Sequence, residues 1–527
     1  MSTPQTQSVI VIGGGFAGLA SAGLLAAAGH RVTLLEQGEH LGGRAGRLHR
    51  DGFTFDTGPS WYLMPEVFEH WFELMGTSVD QALDLKELAT SYRTFFEGEE
   101  PVDLNPANAV EVFESLETGA GAQLQKYLAQ ASDSYRLALD YFLYDDFAKL
   151  TNLIQGPILS RLPQLLPLLT GSLHRHAATR FNDWRLRQIL GYPSVFLGSS
   201  PRRTPALYHL MSHLDLVEGV RYPMGGFNAL VDAMADTTSQ AGARLETNSR
   251  VIGLSTDGPN GAVSAVQWSD ADGKIHQQEV DVVVGAADLH HLEHHLLDPK
   301  LHTRSKRQWT RADPGPSAVL LCLGVRGKLP QLEHHNLFFT KDWDENFSRI
   351  HNGQPLEQET SIYVCMPSHS DSSVAPEGHE NLFVLVPAPA NLAWGRGGSE
   401  GSGDPMVERV AEAAIDQIAA WAGIADLRDR IVLRQSYGPA DFAQNVGAWQ
   451  GGALGLAHTL GQSAFFRPGN HNPKVPGLYY AGSSVRPGIG IPMCLISAEL
   501  VTKAVSKITT PGPLTAVPTT RRLEQHQ

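Results

Sequence analysis

The sequence has little cysteine and does not cluster what it has: Cys322, Cys365 and Cys494 stand far apart, with no CxxC spacing. An odd, scattered set argues against a disulfide framework or a structural zinc site, and suits a reducing cytosol. Positive charge is also scarce. There are 41 Lys and Arg against 55 Asp and Glu, a formal net charge of −14. That balance argues against a general nucleic-acid binder, so no nucleic-acid partner is expected. Long uncharged runs are nearly absent. The most apolar of them, Val9 to Gly29, has the length of a membrane span at twenty-one residues. No Lys or Arg precedes it, it contains Gly13-Gly14-Gly15, and it leads into the strand pattern His30 to Glu36. It is therefore expected to be buried strand and helix, not a targeting or spanning segment, and any membrane contact is expected to be peripheral.

No internal repeat, P-loop or nucleophile elbow is present, which leaves triphosphate chemistry and nucleophilic hydrolysis without support. What is present is an ordinary globular balance, 42% apolar and 18% charged, over 527 residues. That is too long for one simple core, so two or more lobes are expected.

Ser8 to Ile12 (SVIVI) reads as a buried strand, Phe16 to Ala28 as a helix stopped by Gly29, and Val32 to Glu36 as a second strand. The pattern Gly13-x-Gly15-x-x-Gly18 falls where strand turns into helix. There the first glycine permits the turn, the second lets backbone approach a diphosphate, and the third brings helix and strand together. The helix N-terminus adds free N–H groups and partial positive charge. Glu36, eighteen residues after Gly18, is placed to accept from a ribose diol. The glycine pattern alone does not separate FAD from NAD. The following loop, Gly42-Gly43-Arg44, and the stretch Phe53 to Pro59 suit a cofactor held from several sides by small residues and a guanidinium.

Near the other end, Leu478 to Ser484 and Pro487 to Met493 read as a strand, a glycine-rich loop and a helix start. Glycines there let backbone run close to a flat ring, and a helix N-terminus stabilises electron density arriving on it.

These two stretches together resemble the flavin amine oxidase and phytoene desaturase superfamily, the C-terminal one being similar to bacterial phytoene desaturases. Tyr222 to Gly226, Val283 to Asp288 and Gln462 to Pro468 are similar to the same family, so the resemblance covers nearly all of residues 8–507. It implies an α/β fold: a Rossmann-like FAD-binding domain of the amine-oxidase type with an inserted substrate-binding domain and a helical, membrane-facing segment. The implied division is 1–65, 222–290 and 437–507 for FAD, 66–221 for a mainly helical lid, 291–436 for substrate, and 508–527 as a disordered tail. The cofactor positions it implies are Gly13, Gly15, Phe16, Ala17, Gly18, Glu36, Gly43, Arg44, Pro59, Val251, Gly482, Ser483, Ile491, Pro492 and Met493. Ser483 departs from the pattern, since many flavoproteins carry an acid there.

The resemblance further implies desaturation of phytoene towards neurosporene or lycopene, an external acceptor (oxygen or a quinone), and a cytoplasmic enzyme docked on the inner face of a membrane. A carotenoid ketolase or isomerase and an amine oxidase are the alternatives, with a non-catalytic flavin-bound scaffold as a third. No catalytic residue is assigned; Asp145, Asp146 and Asp441 are carboxylates considered as proton acceptors against a surface role. No metal is expected. His290-His291-Leu292-Glu293-His294 has the HxxEH spacing, but a solvated polar helix face is preferred. Ile158 to Leu173 is strongly apolar, interrupted by Pro163 and Pro167 and followed by His174, Arg175, His176 and Arg180. Core, tunnel wall and interfacial helix stay open for it.

Overall fold

The computed structural model describes residues 6–145, 156–258, 261–354, 356 and 359–519. The β-branched run Ser8–Ile12 (β1) is the centre of a five-stranded sheet, with Arg31–Leu35 (β2) on one side and Val282–Gly285 on the other. Arg244–Glu246 and Leu478–Tyr480 form its edges, and every pairing is parallel. Strands buried on both faces need apolar residues throughout, which is why SVIVI and VVVG do not alternate. Helix Phe16–Ala27 (α1) packs between this sheet, the helix Phe227–Gln240 and the last helix, Ile491–Val505. Its Ala and Gly content permits that approach: a Cβ on Gly23 would lie 2.9 Å from Thr238 Oγ1. The apolar run Val9 to Gly29 is thus core, as expected.

A second sheet of seven strands runs in the order Ile431–Tyr437, Ser317–Arg326, His379–Ala388, Ile362–Cys365, His335–Phe339, Tyr92–Phe96, Val102–Leu104. Helix Pro405–Trp421 covers one face. The other face meets Phe53 and Phe55, carried on the strand Phe53–Asp56. Residues 66–221 are less helical than expected. Tyr92–Phe96 pairs in parallel with His335–Phe339, and Leu85–Glu87 pairs with Arg221–Pro223. Those partners lie more than a hundred residues away, so local periodicity carried no trace of them.

Most regular structure in the described remainder of that segment is helical, including Ala120–Ala138 and Gly156–Thr170. The latter runs through Pro163 and Pro167, burying Leu165 and Leu168 and exposing Leu166 and Leu169. Among the described residues no helix is long and apolar enough to cross a membrane. The segment expected as a tail also differs over 508–519. Leu514 N–H donates to buried Glu499, Lys503 Nζ donates to Gly512 O at 2.8 Å, and Val517 packs on the core. Two polar residues buried on the last helix need these partners. Residues 520–527 lie outside the described residues.

Candidate cofactor site and active site

Three distant stretches meet at the C-terminal edge of β1. Gly13 turns with φ +104°, and a Cβ on Gly18 would sit 1.9 Å from Gly13 O, so only glycine lets helix and strand close here. Gly15 caps α1 without a side-chain bond, leaving first-turn N–H groups around Phe16 and Ala17 for a ligand. Opposite, Gly43 has φ +59°, and its Cβ would lie 3.2 Å from Gly15 Cα. The two stretches touch, Gly42 N–H donating to Gly14 O at 2.9 Å, and together form one backbone cradle with no side chain at positions 13, 14, 15, 18, 42 and 43. Gly482 closes it, with φ +113° and a Cβ position 3.4 Å from the Ala17 side chain.

Arg44 reaches across this junction. Its Nη1 donates to Ser483 Oγ at 3.0 Å, and its Nη2 stands 3.8 Å from Asp288 Oδ2. Its Nε and Nη2 are buried and have no hydrogen-bond partner in the protein. Buried guanidinium donors left unmade are costly, and an anionic or oxygen-rich ligand would satisfy them. Glu36 is buried and accepts from Gly14 N–H at 2.6 Å and Gly38 N–H at 2.7 Å, with lone pairs left for a diol. Ser249 N–H donates to Glu36 O at 2.7 Å, two residues before Val251. Pro59 follows Gly58, whose Cβ would strike Arg44 O at 2.0 Å, so that loop lies against the same arginine. A glycine cradle, two guanidinium donors without a hydrogen bond and a buried acid with free lone pairs fit FAD.

Ile491, Pro492 and Met493 form the first turn of the last helix, after Gly490 at φ +119°. Sequence reasoning missed what holds that loop. His458 is fully buried; its Nε2 accepts from Ile489 N–H at 3.1 Å, so Nδ1 carries the proton and donates to Tyr208 oxygen at 2.7 Å. Burial keeps His458 far below its ordinary pKa, hence neutral. Arg467, also buried, donates to Val485 O, Gln462 O, Leu456 O and Ser483 O. Desolvation lowers its pKa to about 10, and carbonyl dipoles take the place of a carboxylate. Gln462 to Pro468 stood out by resemblance, but nothing in its order signals carbonyl partners on another loop.

Beyond Pro59 the wall is aromatic. Trp61 stacks on His335 at 4.3 Å between ring centres, with Phe196, Tyr92, Tyr192 and Tyr363 between 5.5 and 6.0 Å away. Behind it, fully buried Asp215 accepts from Tyr192 OH at 2.6 Å and Tyr92 OH at 3.1 Å. Burial pushes its pKa up to about 7, the two hydroxyls opposing the rise. Such a wall is greasy, rigid and dry.

Asp441 is structural: its carboxylate accepts from Gly397 N–H and Gly438 N–H at 2.8 Å each. Asp145 is buried, and Asp146 lies outside the described residues. The HxxEH helix, Leu289–Leu296, turns Glu293 inward to accept from Thr303 and Tyr480, while His290 and His294 stack on each other at 3.9 Å. His290 also packs on Trp309 and Trp449, and burial followed by its histidine neighbours lowers its pKa to about 4. This face is more enclosed than the solvated one expected.

Residues 16–506 match the family described as flavin containing amine oxidoreductase. A carotenoid 3,4-desaturase of Haloarcula japonica is 40% identical over 96% of this chain and 99% of its own length. A zeta-carotene-forming phytoene desaturase of Myxococcus xanthus is 32% identical, covering 95% and 94%. Among solved structures, an oxidoreductase from Methanosarcina mazei aligns with a TM-score of 0.58 at 17% identity, over 94% of this chain and all of that one. Putrescine oxidase bound to putrescine gives the same score at 14%, over 96% and 99%. Those two carry the fold alone. With the glycine cradle, the unpartnered Arg44 donors and these matches together, the chain belongs to the flavin-containing amine oxidoreductases and, within them, to the carotenoid desaturases: it is an FAD-dependent oxidoreductase acting on carbon–carbon bonds.

Proposed function

We propose that the protein introduces double bonds into a membrane-dissolved carotenoid polyene. The observation that carries this is the aromatic wall around Trp61, which leads directly from the Pro59 stretch of the cofactor site. FAD, when bound, supplies a hydride acceptor for an unactivated or allylic C–H bond. The protein's own part is alignment and exclusion of water. Gly488 and Ile489 are held by His458, and Trp61 with its neighbours confines the chain to be oxidised. The proton lost from the adjacent carbon has no assigned acceptor on the protein.

Within this reading, desaturation of a 3,4 bond is supported by the 40% identical relative, and desaturation of phytoene by the 32% identical one. The reoxidant is an external acceptor, oxygen or a quinone. Access is from the inner face of a membrane, supported by exposed Leu166 and Leu169 on the helix that carries Pro163 and Pro167.

Anaerobic mixing of the FAD-bound protein with liposomes tests the desaturation itself. Phytoene and an acyclic, already coloured carotenoid are offered separately while flavin bleaching and product spectra are followed. Bleaching with either polyene, and a product of longer conjugation, is the expected result. Bleaching by putrescine or other amines with neither polyene altered refutes it.

A further inference from the structure

Outside the cofactor site, the seven-stranded sheet brings together three donor side chains that no sequence spacing connects. His335 and Cys365 face each other directly across paired strands, and His334 precedes them. One ligand atom from each lies within 4.8 Å of the others, and all three residues are buried. We propose that His334, His335 and Cys365 form a binding site for one thiophilic d10 cation, zinc being the ion of first choice.

The rings are otherwise unexplained. Both nitrogens of His334 and Nε2 of His335 are buried without a hydrogen-bond partner. A neutral imidazole always carries one N–H, and a buried donor left unmade is costly. His335 is set for ligation: its Nδ1 lies 2.7 Å from Tyr363 OH, so donation there leaves the Nε2 lone pair free. Tyr363 OH in turn lies 2.7 Å from Ser60 Oγ, and Trp61 stacks on the His335 ring. His334 rests on Tyr222 at 4.6 Å between ring centres.

Two nitrogens and one sulfur suit zinc, whose bonds of about 2.0–2.3 Å ask the donors to close by roughly 1 Å. Side-chain rotation at His334, which holds no bond, supplies that. On binding, the Cys365 S–H proton leaves to solvent and the thiolate takes the metal. Asp56 lies near Cys365, and His369, Lys86 and Asp371 lie near His334, so the acidic neighbour on the sulfur side is the one that balances the remaining charge. A fourth position opens on a small cavity lined by Asp56, Ser60, Tyr222 and Asn381.

The test uses untagged, FAD-bound full chain equilibrated with zinc, gel-filtered and analysed by elemental mass spectrometry. About one zinc per chain is expected, falling at least tenfold in Cys365→Ala and His335→Phe. The pair His290→Asn with His294→Asn leaves it unchanged. Cobalt(II) in place of zinc gives a thiolate-to-metal absorption and tetrahedral ligand-field bands in wild type, with the thiolate band absent in Cys365→Ser. Zinc no higher than in chelator-treated protein, zinc retained by Cys365→Ala, or cobalt without a thiolate band overturns the site. If the variants fail to fold, the wild-type cobalt spectrum decides alone.

Discussion

Replacing Arg44 by Met removes the one guanidinium that spans the cofactor cradle and keeps most of its aliphatic stem. Two of its nitrogens, Nε and Nη2, make no hydrogen bond in the protein, Nη2 having only the Asp288 carboxylate at 3.8 Å, and Nη1 donates to Ser483 Oγ. A hydrogen bond to a charged group contributes about 1.5–3 kcal/mol. Two such bonds to the cofactor come to at least about 3 kcal/mol, less what the variant gains by no longer burying two unmade donors. A net loss of about 2–3 kcal/mol weakens FAD binding roughly 30- to 150-fold. Stripped protein titrated with FAD, followed by quenching of flavin fluorescence, measures this directly. Arg44→Lys keeps charge without the fork and falls between the two. Ser483→Ala removes a neutral acceptor and costs under about 1.5 kcal/mol. Arg44→Met binding FAD within about threefold of wild type would mean that the guanidinium does not face the cofactor, and the assignment of the cradle would fail with it.

Gly18→Ala and Gly15→Ala separate fold from site. The Cβ at 18 meets Gly13 O at 1.9 Å and destabilises the apoprotein by about 1–3 kcal/mol, whereas at 15 the nearest atom is 3.7 Å away. Thermal melts of apoprotein should drop only for the first, while FAD content drops for both. Asp215 predicts a pH effect of definite sign. Its folded pKa of about 7 lies above the ordinary 3.8, so the folded state favours the protonated acid. That stability is present in full below the ordinary value and is lost as pH rises through the folded one. Between about pH 5 and pH 8 the loss is about 2–3 kcal/mol. Asp215→Asn should remove that share of the slope in urea denaturation, and an unchanged slope would contradict it. Leu166→Ser with Leu169→Ser should reduce cosedimentation with anionic liposomes several-fold at unchanged FAD content. Equal cosedimentation would move the docking face elsewhere.

Legibility in the sequence followed the range of the interactions. The strand–turn–helix at 8–27 was readable because all its constraints are local: glycines at the turn, an acid at the next strand end, alanines on a buried helix. The last loop and helix were readable through a resemblance that kept its glycines. Tyr92–Phe96 was not, since its partner strand begins at His335. Nor were Arg467 and His458, whose partners are backbone groups on other loops. The histidines at 334 and 335 gave no motif, because their third companion is on a neighbouring strand.

Because the edge strand Leu478–Tyr480 and the helix after it complete the sheet begun by Ser8–Ile12, the first βαβ unit leaves the ribosome long before its lid exists. At about 5–20 residues per second, some tens of seconds separate the synthesis of the glycine turn from that of the helix that covers it. During that interval α1, apolar all round, lacks the helix that covers it in the folded protein. Flavin capture therefore belongs to the period after translation ends, and a nonsense codon even near residue 480 would yield a chain that is never yellow.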